Sequence, residues 1–153
     1  MARGWSLLAL ALIVVSPALG DVSYDEAQRM VHVTGFAQKA MGTLQDVLDA
    51  DRKGGWGVVN FDEGTSTLTL NAHLAIGADD GSDTWFRIGT TNRPHETLVI
   101  EGDLKLEQPK ALPGYRQFEG HNTLLIGDPD SPDITPTVRF VCEENEQHGL
   151  LVA

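Results

Sequence analysis

Thr67–Gly77 reads TLTLNAHLAIG, and thirty residues later Thr97–Glu107 reads TLVIEGDLKLE. Both fit T-L-x-Φ-x-x-x-L-x-Φ, where Φ is Leu or Ile. Leu68 and Leu70 face one way, and Leu98, Ile100, Leu104 and Leu106 share a parity across Gly102. Alternation with period two is the mark of a strand that buries one face. An Ile-Gly closure recurs at Ile76-Gly77, Ile88-Gly89 and Ile126-Gly127. A strand that buries every second residue cannot shield that face alone, but stacked copies give one another a continuous core.

Outward from this repeat, short strands divided by Gly, Asp, Pro and Asn are expected at Gly57–Phe61, Thr67–Leu70, His73–Ile76, Trp85–Ile88, Thr97–Ile100, Asp103–Glu107, Thr123–Ile126, Thr137–Cys142 and Gly149–Val152. Upstream, Thr43-Leu44-Gln45-Asp46 fits a capping box, with Asp46 in place of the usual Glu. Leu44, Val47 and Leu48 lie on one helical face, and Gly54-Gly55 ends the run, so a helix is expected over about 44–52. A helical turn over Tyr24–Met30 is a weaker expectation. Strands of this spacing suit either stacked parallel coils or an antiparallel β-sandwich of the jelly-roll kind. The helix favours the coils, because an open end of such a stack needs a cap.

The run TLQDVLDADRKGGWGVVNFDEGTSTLTLNAHLAIG, residues 43–77, resembles the opening segment of pectate-lyase-like right-handed parallel β-helix proteins. The resemblance implies an all-β fold: a short right-handed parallel β-helix, or solenoid, with an N-terminal capping helix. The runs WFRIGTTNRPHETLVIEGDLKLE and TLLIGDPDSPDITPTVRF are also similar to the G8 modules of extracellular proteins.

The first twenty residues have the layout of a secretory signal peptide. Arg3 is a positive start, Leu7–Val15 (LLALALIVV) is an apolar core, and Ala18-Leu19-Gly20 supplies small residues for cleavage after Gly20. Nine apolar residues fall short of the roughly 20 that a membrane span needs. The expected organisation is a leader over 1–20, a segment with the capping helix over 21–54, and a β region over 55–153. The product would be secreted to the extracellular space, or to the periplasm in a bacterium. Loss of Arg3 takes the net charge from -11 to -12. Such a charge argues against nucleic acid as a partner, since phosphate binding needs clustered Lys and Arg. A single Cys excludes an intrachain disulfide framework. Cys142 shares the parity of Val138 and Phe140 and is expected to be buried.

Two Asp-rich corners are candidate calcium ligands, because closely spaced carboxylates present oxygens to a hard cation. One carries Asp79, Asp80 and Asp83, the other Asp128, Asp130 and Asp133. Both also read as solvated turns. Trp85 and Tyr115, with Arg87 beside them, could line a cleft where a polysaccharide or cell-surface glycan stacks; the other reading is that the aromatics cover core. The five His are scattered without a ligand motif. An apolar terminus, Gly149–Ala153, allows three accounts: it closes the sheet, it continues into further coils, or it self-associates with another copy. The expected function is an exported carbohydrate- or surface-associated binding or structural module. A polysaccharide lyase or glycoside hydrolase of the pectate-lyase-like fold, with calcium, is the alternative, and no residue is singled out as catalytic.

Overall fold

A computed structural model describes residues 20–77, 83–107 and 122–152. Strands β1 (Asp21–Asp25) and β2 (Met30–Thr34) form an antiparallel hairpin. The helical turn expected over Tyr24–Met30 is therefore a hairpin turn. Asp25 Oδ1 accepts the Gln28 N–H at 3.2 Å, and Arg29 sits at φ 50°. The alternation of β2 buries Val31 and Val33 completely.

A 3₁₀ turn (Gln38–Ala40) and β3 (Gly42–Thr43) lead into α1 (Leu44–Gly54). The capping box forms as read from the sequence: the Asp46 carboxylate accepts the Thr43 N–H at 2.8 Å and its hydroxyl at 3.1 Å. Gly55 closes the helix at φ 65°, a left-handed position that glycine takes without strain. Leu44, Val47 and Leu48 face the core, and buried Asp51 accepts the Val58 N–H at 3.0 Å, which fixes the exit of the chain.

The remaining strands are β4 (Val59–Asp62), β5 (Thr67–Leu70), β6 (His73–Ile76), β7 (Thr84–Ile88), β8 (Thr97–Ile100), β9 (Leu104–Leu106), β10 (Asn122–Ile126), β11 (Thr137–Phe140) and β12 (Leu150–Val152). They build three sheets. The first runs β1-β2-β6-β9-β12, the second β3-β7-β10 and the third β4-β5-β8-β11. The thirty-residue repeat is the strand register itself, with Thr67 opposite Thr97, Leu70 opposite Ile100 and Leu74 opposite Leu104. Its alternate residues, apart from half-buried Leu106, are fully buried, as are Phe86 and Ile88 of β7.

The all-parallel β-helix is overturned. The fold is mostly sheet, its three sheets together mix parallel and antiparallel pairing, and they form neither a closed barrel nor a solenoid. The physical cause lies in two tight turns. β4 folds straight back on β5 through Glu63–Ser66, where Asp62 Oδ1 accepts the Gly64 N–H at 2.9 Å and Ser66 takes φ 52°. The hairpin β1–β2 does the same for the first sheet. The antiparallel sandwich fails on the opposite count, since every other strand pairing among the described residues is parallel.

Helix α1 packs against β1, β3 and β4, the first strand of each sheet. The other edge strands of the three sheets are β12, β10 and β11. No helix among the described residues is long and apolar enough to cross a membrane.

Candidate functional site

The parallel register places His73 at the head of β6 beside Asp103, the residue just before β9. Pairing of Leu150 with Leu104 then brings Gly149 and His148 to the same corner. The corner is held by backbone bonds: Leu74 N–H to Asp103 O at 2.9 Å, and Leu104 N–H to Gly149 O at 3.0 Å. Asp103 N–H donates to His73 Nδ1 at 2.9 Å. A ring nitrogen that accepts carries no proton, so neutral His73 is the Nε2–H tautomer.

The Asp103 carboxylate has three close neighbours. Oδ1 accepts the Gly149 N–H at 3.2 Å and lies 3.4 Å from His148 Nδ1, while Oδ2 lies 3.7 Å from His73 Nδ1. His148 Nε2 is 3.2 Å from Glu146 Oε2, so a carboxylate flanks each nitrogen of that ring. The two imidazoles meet edge to face with centroids 6.0 Å apart. Across from them Arg29 donates to the carbonyl and the side-chain oxygen of Asn71.

Of these, Arg29, Asn71, His73, Glu146 and His148 line a groove of about 270 Å³ together with Glu101, Val141 and Glu143. Its size sits near the lower bound of small-molecule clefts, roughly 300 Å³. It offers donors (Arg29, the imidazoles), acceptors (Asn71, Glu101, Glu143) and no Ser, Thr, Cys, Tyr or Lys nucleophile along its lining. Its lining sets three glutamates against one arginine, which disfavours an anionic ligand.

The described residues among those expected to bind ligand or metal lie elsewhere. Arg87 lines a separate groove of about 510 Å³ with Phe36, Lys39, Asp46 and Thr90, and its Nη1 is 3.6 Å from Asp128 Oδ2. Trp85 is half-buried two residues earlier on β7. Tyr115, Asp79 and Asp80 lie outside the described residues, so the Trp85–Tyr115 cleft does too. Asp128 also accepts the Asp130 N–H at 2.9 Å, the bond of a turn, while Asp83, Asp130 and Asp133 are exposed. Among the described residues no group of three or more His, Cys, Asp or Glu side chains is placed to hold a metal ion.

Sequence reading passed over His73 and His148 because no local spacing joins them. The signal for the first half was present: aligning the repeat sets His73 against Asp103. A second unforeseen residue is Glu96, 3% exposed, whose Oε1 accepts the Gly89 N–H at 2.6 Å. Burial pushes its carboxyl above the ordinary range, against the lowering pull of that N–H and of Arg93. Arg93 in turn lies 4.4 Å over the Phe61 ring. This cluster ties both ends of the β7–β8 connection and reads as structural. Cys142, expected inside, is exposed.

Set against protein families, curated proteins and solved structures, the chain finds no match.

Proposed function

We propose that this chain is an exported binding module that takes a neutral saccharide unit in the groove between His73, His148, Arg29 and Asn71. The carrying observation is the convergence, from β6, the β9 corner and the β12 approach, of planar polar groups offering both donors and acceptors. Such groups set orientation in small-ligand sites; His73 stands on β6, and Arg29, Asn71 and His148 stand on the turns and corners beside the strands. Export rests on the leader-like run Arg3 to Gly20.

The test is titration calorimetry against a panel of neutral oligosaccharides, using wild type, Asn71→Ala and His73→Ala. Binding weakened about tenfold or more in both variants is expected, the loss that follows when a hydrogen-bond partner of the bound ligand is removed. No binding across the panel, or binding indifferent to both variants, overturns the reading. Release of reducing ends or unsaturated products would replace it with the hydrolase or lyase alternative.

A further inference from the structure

The groove of about 510 Å³ that holds Arg87 shares no lining residue with the groove between His73 and His148, and its chemistry is the opposite. Its volume falls within the roughly 300–1,000 Å³ of small-molecule clefts. One part of the lining is apolar, with buried Phe36 and half-buried Met41. The Phe36 ring is wedged between two glycines: a Cβ built on Gly20 or Gly42 would stand 2.5 or 2.9 Å from it. Another part is cationic. Arg87 comes from β7 and Lys39 from the 3₁₀ turn. Arg93 lines an adjoining groove of about 210 Å³ that shares Thr43 and Thr90 with the first. Three cations thus gather in one place on a chain with 22 acidic and 11 basic residues.

The donors here are unspent, while the acceptors are engaged. A guanidinium carries five N–H groups. That of Arg87 makes no hydrogen bond among the described residues. Its Nε is buried without a partner, and its Nη1 stands 3.6 Å from Asp128 Oδ2, beyond the roughly 2.7–3.2 Å of a hydrogen bond. Asp128 does not line the groove. Asp46, the one acid that does, accepts the Thr43 N–H and hydroxyl on a single oxygen, and Thr90 Oγ1 accepts the Arg93 N–H at 3.2 Å. A ligand that fits must bring its own acceptors and its own negative charge.

We propose that this groove binds a small amphiphilic carboxylate, an organic acid whose carboxylate pairs with Arg87 and Lys39 and whose hydrocarbon body lies on Phe36 and Met41. The planar guanidinium fork matches a carboxylate with two parallel N–H to O bonds. A phosphate dianion fits less well. The Thr43 N–H that opens α1, the kind of donor phosphates use, is already taken by Asp46, whose own charge repels a second negative charge. Nor does an inorganic anion make any use of the apolar part of the lining. The inference does not depend on the saccharide reading, since the two grooves have no residue in common.

The test is titration of the purified protein with hexanoate and benzoate, followed by amide shifts in NMR spectra. Hexanamide, benzamide and inorganic phosphate are the comparison ligands. Both carboxylates are expected to bind with a Kd of ~1 mM or tighter, a value in reach of ligands this small, and to shift the amides of Thr43, Arg87 and Thr90. The amides and phosphate should bind about tenfold more weakly or worse, because each lacks either the charge or the apolar body. Arg87→Gln should weaken carboxylate binding by about tenfold or more, as loss of one partner of a charge pair does. Lys39→Glu reverses a charge on an exposed turn that folding does not depend on, and should weaken binding severalfold, less so at high salt. Equal binding of carboxylates and amides, phosphate binding that matches the carboxylates, binding indifferent to either variant, or no shift up to ~20 mM ligand, well above that Kd, would each overturn the proposal.

Discussion

Gly102 passes close to the backbone of Ala72 and His73, and this approach gives a quantitative test of the stacking. A Cβ built on Gly102 would stand 2.7 Å from the Ala72 carbonyl oxygen, 2.9 Å from the Ala72 carbonyl carbon and 2.9 Å from the His73 nitrogen. Carbon atoms pack best at about 3.5–4.0 Å, so each contact is short by well over half an ångström. All three atoms are backbone, and no side chain can rotate away. Relief requires β6 and the head of β9 to part, which stretches the Leu74–Asp103 bond of 2.9 Å. Overpacking costs about 1–3 kcal/mol, here toward the upper end, and a weakened ladder bond adds about 1 kcal/mol. The smaller entropy of the unfolded alanine chain returns about 0.4–1 kcal/mol. Gly102→Ala should therefore destabilise by about 2–3 kcal/mol, read as a lowered urea midpoint at unchanged slope. Gly55→Ala is the control. Nothing lies within 4 Å of its Cβ, and its φ of 65° is the sole obstacle. Its penalty should be about 1–2 kcal/mol and should shrink with Asn, which tolerates the left-handed region. Asn at 102 should be worse than Ala. A Gly102→Ala protein within about 0.5 kcal/mol of wild type, the usual scatter of surface substitutions, would refute the close stacking of residues 72 and 102.

Other substitutions probe the remaining parts. Leu74, fully buried between β2 and β9, should cost about 2–5 kcal/mol when changed to Ala, measured by chemical denaturation. Asp46→Ala removes the acceptor of the Thr43 N–H and should cost about 1 kcal/mol, with the loss seen first in the amide exchange of α1. Glu96 has its folded-state pKa raised above 4.5, so the folded protein keeps that proton after the unfolded chain has released it. Its stabilising contribution is whole below the unfolded value and is lost as pH rises through the folded value. Glu96→Gln keeps an acceptor for Gly89 and has no proton to lose. It should thus gain on wild type as pH rises from 4 toward neutrality, measured by urea titrations at each pH.

The positions of β4 to β12 were legible because each is a short run of three to five residues, rich in apolar side chains, between turn formers. Even the register was legible, since Thr67-Leu68 and Thr97-Leu98 are the same words thirty residues apart. Strand direction was not. Alternation has period two whichever way the neighbour runs, so Leu68 and Leu70 carry no record of whether β4 lies parallel or antiparallel beside them. That information sits in the Glu63–Ser66 turn, too short for the crossover that parallel neighbours require. The β1–β2 hairpin was hidden for a different reason. Asp25-Glu26-Ala27-Gln28-Arg29-Met30 is built of helix formers, and the pairing of Val31 and Val33 with the core outweighs that local propensity. Cys142 misled because parity holds only while the ladder lasts, and β11 ends at Phe140.

The site was half legible for the same structural reason. His73 and Asp103 occupy matching places in the repeat, and stacking alone brings them together. His148 arrives by a different offset. Leu150 pairs with Leu104 across 46 residues, where Leu104 pairs with Leu74 across 30, because unequal connections intervene. No fixed period in the sequence could have set His148 beside Asp103. One corner therefore carries two loads. The backbone approach of Ala72 to Gly102 sets the spacing between β6 and β9, and that spacing sets the Asp103 N–H to His73 Nδ1 bond that fixes the tautomer facing the groove. A side chain at 102 should then disturb the groove as well as the stability, while Leu74→Ala, one residue along the same strand but facing the core, should lower stability and leave the His73 tautomer in place. The ring ¹⁵N shifts of His73 separate the two cases.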